Sequence, residues 1–267
     1  MSWAARRRFL ILLTIGAIVV AFLSIVLISS IYKTPSCSDS VQNQEENGID
    51  CGGPCEYLCA SEVQPPIILF TKVIDNGEGR IDVIAMVENK NVGAAAKNIP
   101  YSITLYDNNQ LFIQKIEGTF DLPPNAIEPI YISGVASDLS GQAGEQKVTR
   151  AFLEIDSSAP KWFEMTVDSR VIPKVLSAVQ SDTSSAPRVE AVLSNPSSFP
   201  LSDIKVVALV YDTNKDVIAV SKTVIPIISA LGQSVATFTW NSAFDGTLDS
   251  IKVIPIIPLP TGRQALP

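Results

Sequence analysis

The N-terminal part of the chain is set apart by one long apolar run. Residues 9–32 contain no Asp, Glu, Lys, Arg or Pro, and as a helix of about 36 Å they are long enough to cross a hydrocarbon core of about 30 Å. Arg6–Arg8 precede the run, and only Lys33 follows it closely. The positive-inside rule therefore predicts that residues 1–8 are cytoplasmic and that the chain beyond the run lies outside.

This pattern predicts a single-pass plasma-membrane protein that contacts the lipid bilayer through residues 9–32. A cleaved signal peptide is the alternative. Its apolar region usually has about 7–15 residues, and the run here is longer. We therefore interpret the run as a signal-anchor.

Beyond residue 64, apolar and polar residues alternate in short runs. Residues 81–87, 101–105 and 189–193 follow a period of two, which is typical of β-strands with one buried face. Clusters of Asn, Asp, Gly and Pro separate such runs and predict tight turns. The pattern therefore predicts an all-β fold of the sandwich type.

Several features of this region occur twice, about 105 residues apart. Asn89 corresponds to Asn195, and Tyr106-Asp107 corresponds to Tyr211-Asp212. The flanking runs correspond as well: 69–73 with 175–179, and 150–155 with 249–254. A period of this length is too long for a solenoid repeat and has the size of a duplicated domain.

The duplication predicts two tandem β-sandwich domains, residues 65–165 and 166–260, and a C-terminal tail at residues 261–267. Each copy is long enough for about seven strands that enclose a core between two sheets. We expect two separate cores.

The repeated Tyr-Asp pair carries a resemblance to a known family. An Asn-turn, a strand and a terminal Leu-Tyr-Asp before a hairpin characterise the FxLYD domain, an immunoglobulin-like module of prokaryotic extracytoplasmic proteins. Residues Ile103–Asp107 and Ala208–Asp212 carry the pattern here. Ile103 and Ala208 stand in place of the Phe, and in the second copy Val210 stands in place of the Leu. The chain resembles this family, which implies immunoglobulin-like sandwiches and supplies no catalytic residues.

All four cysteines lie in the predicted stalk, residues 33–64: Cys37, Cys51, Cys55 and Cys59. An even number of clustered cysteines outside the membrane predicts two disulfides, with three possible connectivities. Tetrathiolate zinc is the alternative, but the sequence lacks the C-x2-C spacing that structural zinc sites favour.

The residues around these cysteines resemble a short cysteine motif of prokaryotic surface and envelope proteins. The resemblance covers residues 37–59 and implies location more than chemistry. Asp39, Asn43, Glu45 and Asp50 offer oxygen atoms that suit calcium, although their spacing differs from that of an EF-hand loop. We interpret them as solvated polar residues on a disulfide-bonded segment, with calcium binding as the alternative.

Composition narrows the possible functions. The chain has no histidine, so the commonest general base and the commonest metal ligand are both missing. The chain from Lys33 onward contains all 27 acidic residues and 17 of the 20 basic ones. Its net negative charge opposes binding to the nucleic-acid backbone. Ser202 and Lys205 match S-x-x-K, but the companion motifs of the serine–lysine enzymes are missing. We predict no enzyme and no cofactor.

Two further segments attract notice. Trp162-Phe163 lies between the copies, and we interpret it as an interdomain plug, with an exposed binding element as the alternative. Ile254–Pro260 is predicted as an apolar last strand with a stiff tail; a proline-rich ligand for another protein is the alternative. Tyr106 and Tyr211 are expected to pack their rings on the core and to leave their hydroxyl groups to turn amides.

These observations favour a structural or protein-binding role, with another envelope or surface protein as partner. Sandwiches present loops and edges to partners, and this chain offers no reactive group. A calcium- or glycan-binding ectodomain is one alternative. An accessory subunit of a cell-envelope machine is another.

Overall fold

The computed structural model describes residues 3–31, 36–43, 45–77, 79–135, 147–158, 160–182 and 186–260. The chain divides into two compact units, residues 1–55 and 56–267. The unit that holds the sheets thus begins at Glu56, and the last residues of the predicted stalk belong to it. The predicted tail, residues 261–267, lies outside the described residues, as do residues 32–35.

The first unit contains one long apolar helix, α1 (Trp3–Ile31). Within the described part of the chain it alone is long and apolar enough to cross a bilayer, over Arg6–Ile28, and none of that span is buried. The helix starts before the apolar run because Ala and Arg are good helix formers. Such a helix is typical both of a membrane anchor and of a signal sequence.

The second unit is built of antiparallel strands. The described residues contain thirteen: β1 (Ile67–Asp75), β2 (Ile81–Glu88), β3 (Ala94–Tyr106), β4 (Phe112–Leu122), β5 (Ile127–Ile132), β6 (Arg150–Glu154), β7 (Trp162–Glu164), β8 (Lys174–Asp182), β9 (Arg188–Ser194), β10 (Leu201–Asp212), β11 (Val217–Ile228), β12 (Gln233–Thr239) and β13 (Leu248–Ile256). Apart from α1, the described chain is therefore mostly β, as predicted.

The strands form four sheets in which the same order occurs twice. β1 to β7, the first half, form the sheets β1-β2-β5 and β4-β3-β6, with β7 also paired to β3. β8 to β13, the second half, form the sheets β8-β9-β12 and β11-β10-β13. Each half thus pairs its strands in the same way.

The corresponding asparagines perform the same task in both halves. Asn89 donates from Nδ2 to the carbonyl oxygens of Ala94 and Pro123, at 2.8 and 2.7 Å. Asn195 donates from Nδ2 to those of Phe199 and Ile228, at 2.7 and 3.2 Å. Both asparagines are buried. Each supplies hydrogen bonds to loop carbonyls that would otherwise be buried without a partner.

The strand register corrects the alignment of the outer strands. Leu105 and Val210 are equivalent, and they lie opposite Ala151 and Ile251 respectively. Ala151 therefore corresponds to Ile251, one residue away from the match that the sequence suggested. The match between β1 and β8 is also one residue away from the match that the sequence suggested. Irregularities in the pairing of both strands shift their register.

One hydrophobic core lies between the two sheets of each half. The first core includes Val83 and Val87 of β2 and Ile103 and Leu105 of β3. The second core is built from the equivalent strands, β9 and β10, and includes Trp240. The alternate residues of these strands point inward, which is the pattern that period-two alternation predicts.

A third core joins the two halves. It contains Ile84 and Met86 from the second face of β2, and Val207 and Leu209 from the second face of β10. Sheet β1-β2-β5 therefore packs against sheet β11-β10-β13. β2 and β10 are buried on both faces, whereas their equivalents β9 and β3 alternate between buried and more accessible residues.

A buried carboxylate lies at the edge of the third core. Asp82 is fully buried and accepts hydrogen bonds from Arg80, from the hydroxyl of Tyr131 and from the backbone N–H of Gly134. Asn76 also donates to Asp82 and lies 3.4 Å from the carbonyl oxygen of Val220 in the second half. This set of donors offsets the cost of burying the charge.

Replacing Leu209 with alanine should lower the free energy of unfolding by about 2–5 kcal/mol, because it leaves a cavity in the third core. Chemical denaturation of the full-length protein, followed by tryptophan fluorescence, measures the change. Trp162 reports on the first core and Trp240 on the second. Because the third core joins both halves, the two signals should shift together.

Thr104→Ala is the matched control, since Thr104 occupies in β3 the position that Leu209 occupies in β10 and faces away from the first core. It should change stability by no more than about 0.5 kcal/mol. A Leu209→Ala loss no larger than this, or a shift of only one tryptophan signal, would contradict a shared core.

Candidate functional site

An aromatic face lies on the side of sheet β4-β3-β6 that points away from the first core. The Tyr106 ring contacts Phe112 and Phe152 edge to face, with ring centres 6.5 and 5.8 Å apart. Phe112 is 61% exposed and Phe152 is 55% exposed. Leu111 beside them is also exposed. We refer to Tyr106, Leu111, Phe112 and Phe152 as the aromatic face.

The local sequence places these side chains. Leu105 points into the first core, so its neighbour Tyr106 points outward. Asp107 then holds the turn: its Oδ1 accepts hydrogen bonds from the N–H groups of Asn109 and Leu111, both at 2.8 Å. This turn brings Phe112 opposite Tyr106 in the register of β3 and β4.

The equivalent face of the second half is covered. Asp212 holds the same turn, accepting from the N–H groups of Asn214 and Asp216 at 2.9 and 2.8 Å. These bonds, that from Asp216 foremost, lower the pKa of Asp212. Tyr211 and Val217 pack in the third core, against the first half. Both tyrosines lie on the face of the strand that points away from the core of their own half. Tyr211 packs on a core as expected, whereas Tyr106 packs against Phe112 and Phe152.

The rest of the open face is polar. Lys115 and Glu117 form an ion pair at 3.5 Å. Thr104 lies between Lys115 and Phe152 in the sheet. In the second half, the position equivalent to Thr104 is occupied by the buried Leu209. The open face of sheet β4-β3-β6 therefore carries a polar residue where the covered face of the second half carries an apolar one.

A cleft of about 310 Å³ lies where the two halves meet. Glu128, Tyr131, Arg170, Lys205 and Lys222 are among its lining residues. Burial raises the pKa of Glu128 from its usual 4.5 to about 7; Arg170 counteracts this rise, and two nearby aspartates add to it. The Lys222 ammonium lies 5.6 Å from the centre of the Tyr131 ring, a cation–π contact.

Arg170 fixes the chain between the halves beside this cleft. Its side chain is 7% exposed and forms an ion pair with Asp168 at 2.7 Å. Its Nη1 donates to the carbonyl oxygen of Ile257 at 2.6 Å. The guanidinium is thus held by groups that come before and after the second half.

The cysteines form disulfides. Cys37 is bonded to Cys55, Cys51 and Cys59 are also disulfide-bonded, and no described cysteine is free. Glu46 is buried beside this bond, with Oε1 3.1 Å from Cys55 Sγ. Sulfur atoms of a disulfide are not thiolates, and a thiolate is the form that binds metal ions, so Cys37, Glu46 and Cys55 do not make a metal centre.

The calcium candidates hold turns in the first unit. The Asp39 carboxylate accepts from the N–H of Val41 and from Asn43 Nδ2, both at 2.9 Å. Asp50 accepts from the N–H groups of Asp39 and Ser40. The structure therefore brings Asp39, Asn43 and Asp50 together through hydrogen bonds.

Glu45, the fourth candidate, has an exposed side chain and a left-handed backbone, with φ 69°. A Cβ atom on Gly53 would lie 2.1 Å from the Glu45 carbonyl oxygen, and Gly53 has a φ of +54°. Only glycine fits at this position. The Gly-Gly of the cysteine motif thus permits a close backbone contact.

Sequence reasoning missed the most distinctive residues of both candidate sites. Phe112 and Phe152 carried a signal, because each is a large apolar residue at a position that alternation places outside the core. Glu128 carried none, since the cleft in which it lies is lined by residues of both halves. Trp162 is buried in the first core, and Phe163 packs beside Leu259, which follows the last strand of the second half. Trp162 therefore belongs to the first half, and Phe163 contacts the segment that follows the second half.

We expect Glu128→Gln to stabilise the protein above pH 7. The folded chain holds the Glu128 proton more tightly than the unfolded chain, so this group's stabilising contribution is complete below about pH 4.5 and is lost as the pH rises to about 7. A neutral side chain removes that loss. Thermal unfolding of the full-length protein between pH 4 and pH 8 measures the effect.

Glu117→Gln provides the comparison, because Glu117 is exposed on the outer sheet. It should leave the pH dependence of the melting temperature nearly unchanged. Equal pH profiles for wild type and Glu128→Gln would contradict the burial of an ionisable Glu128.

Asp107→Ala should lower the free energy of unfolding by about 1–3 kcal/mol, because two N–H groups of the turn lose their acceptor. Faster hydrogen exchange at the Asn109 and Leu111 amides should accompany the loss. Asp156→Ala, in a different exposed turn, should leave those two exchange rates unchanged. Unchanged rates in Asp107→Ala would show that this carboxylate does not hold the aromatic face.

The likeness of this chain to known proteins is distant. No known protein family and no curated protein matches the sequence. Red sea bream transglutaminase is 13% identical, with a TM-score of 0.28 over 72% of this chain and 31% of that one. A β-glucuronidase of glycoside hydrolase family 2 is 9% identical, with a TM-score of 0.19 over 79% and 25%. The chain spans about a third or less of either protein, and similarity at this level assigns it neither a family nor a function.

Proposed function

We propose that this protein is a membrane-anchored, extracytoplasmic surface protein that binds another envelope or surface protein through tandem immunoglobulin-like β sandwiches. In this proposal α1 is the anchor, the N-terminus is cytoplasmic and the sheets lie outside. The arginines at residues 6–8 support the orientation. The disulfides support it too, because such bonds persist in oxidising compartments.

The aromatic face is the observation that favours protein binding over catalysis. Aromatic residues are enriched in protein interfaces, and exposed apolar clusters on soluble domains commonly mark interaction sites. The covered face of the second half supports the same role, because there the equivalent positions bind a protein sheet. The absence of histidine from the sequence argues against the common acid–base mechanisms.

The binding proposal can be tested with a photoreactive amino acid at single positions of the full-length protein in its own membranes. Irradiation should yield a crosslinked partner from position 112 and from position 152. Position 235 is the matched control, since Val235 is 54% exposed on the outer sheet of the second half. Phe112→Ser combined with Phe152→Ser should abolish recovery of the same partner.

Equal crosslinking from all three positions, or none from 112 and 152, would contradict the aromatic face as the binding site. The orientation has a separate test. Protease added to intact cells should digest the sheets and spare residues 1–8. Protection of the sheets would overturn the proposed topology.

A further inference from the structure

The C-terminal segment of the second half is docked on the first half. β13 ends at Ile256, and the chain then continues as Ile257-Pro258-Leu259-Pro260. Leu259 is 2% exposed and lies in a small cluster with Ala95, Phe163 and Met165. Ala95 belongs to β3 and Phe163 to β7, and Met165 directly follows β7. The pocket is therefore built by the first half together with Met165.

Side chains of the pocket bind the backbone of this segment. The Leu259 N–H donates to Asp121 Oδ2 at 2.9 Å, and the Leu259 carbonyl oxygen accepts from Lys97 Nζ at 2.9 Å. The Ile257 carbonyl oxygen accepts from Arg170 Nη1. Proline has no N–H, so Leu259 carries the only donor between Pro258 and Pro260, and that donor is bound.

The segment is stiff before it binds. Proline fixes its own φ and restricts the residue before it to extended conformations. Ile257 and Leu259 each precede a proline. A pre-formed extended chain loses little entropy on docking, which is the basis of polyproline-type recognition.

Two polar side chains of the pocket have partners besides the segment. The pocket's apolar cluster is separate from the three cores. Asp121 also accepts from the Asn98 N–H at 2.9 Å, and Arg170 is also paired with Asp168. Departure of the segment therefore exposes the leucine pocket and the part of the second core that Ile257 covers, and it leaves Asp121 and Arg170 held in place.

From these contacts we propose that the pocket of Ala95, Lys97, Asp121, Phe163 and Met165 is a binding site for extended peptides in which leucine stands between two prolines. The chain's own segment occupies the site in this structure, and the same motif in a partner protein occupies it when that segment leaves. The site is independent of the aromatic face, since Ala95 and Tyr106 lie near opposite ends of β3.

Competition with the tethered segment makes the proposal measurable. A short tether gives an effective concentration on the order of millimolar or more. A free peptide therefore binds the wild-type chain weakly and binds well only to a chain whose own segment is displaced. Leu259→Asp displaces it, because a carboxylate does not enter an apolar pocket without a partner.

The probe is a fluorescent synthetic peptide of residues 254–260, and its anisotropy is measured with the full-length protein in lipid nanodiscs. Leu259→Asp should bind the peptide at least tenfold more tightly than wild type does. A peptide with aspartate at the leucine position should not bind. Adding Lys97→Met, which keeps the alkyl chain and removes the ammonium, should weaken binding several-fold, whereas adding Phe152→Ser should leave it unchanged.

A folded Leu259→Asp chain that does not bind the peptide would overturn the proposal. If that variant does not fold, the wild-type chain decides. Unlabelled peptide at millimolar concentration should then increase deuterium uptake at the amides of Ile257 and Leu259, and the aspartate peptide should not. An uptake that the peptide leaves unchanged would also overturn the proposal, without bearing on the aromatic face.

Discussion

The third core is the interaction on which the rest of the β unit depends. Hydrophobic burial requires each apolar sheet face to be covered, and β2 and β10 are apolar on both faces. Each of these strands is therefore covered once by its own half and once by the other half. The fully buried Asp82, with its donors from Arg80 and Tyr131, sits at the edge of this contact. The two halves form one unit because the first half cannot cover both faces of β2 alone, and the second half cannot cover both faces of β10 alone.

The two halves keep the same backbone devices and differ in what their outer faces carry. Asn89 and Asn195 bind loop carbonyls, and Asp107 and Asp212 hold the same hairpin turn. These hydrogen bonds lie within each half, so they do not depend on what covers its outer face. Side chains on the sheet faces instead follow what covers them, which is why Leu209 and Thr104 differ at equivalent positions.

Much of the strand architecture could be predicted from the sequence, and the contacts between halves could not. Alternation located β2, β3 and β9, and the repeated Asn and Tyr-Asp located equivalent turns. The third core left a trace in the unbroken apolar run Val83–Val87, whose second face, Ile84 and Met86, alternation alone assigned to solvent. Glu128 and Leu259 left no such trace, because their burial depends on residues more than 40 and 130 positions away.

Both ends of the β unit are attached to the same short strand. The Leu58 N–H donates to the Trp162 carbonyl oxygen at 2.8 Å, and Leu259 packs beside Phe163. A force that pulls these ends apart therefore acts directly on β7, and through β7 on β3 and on the first core, where Trp162 is buried.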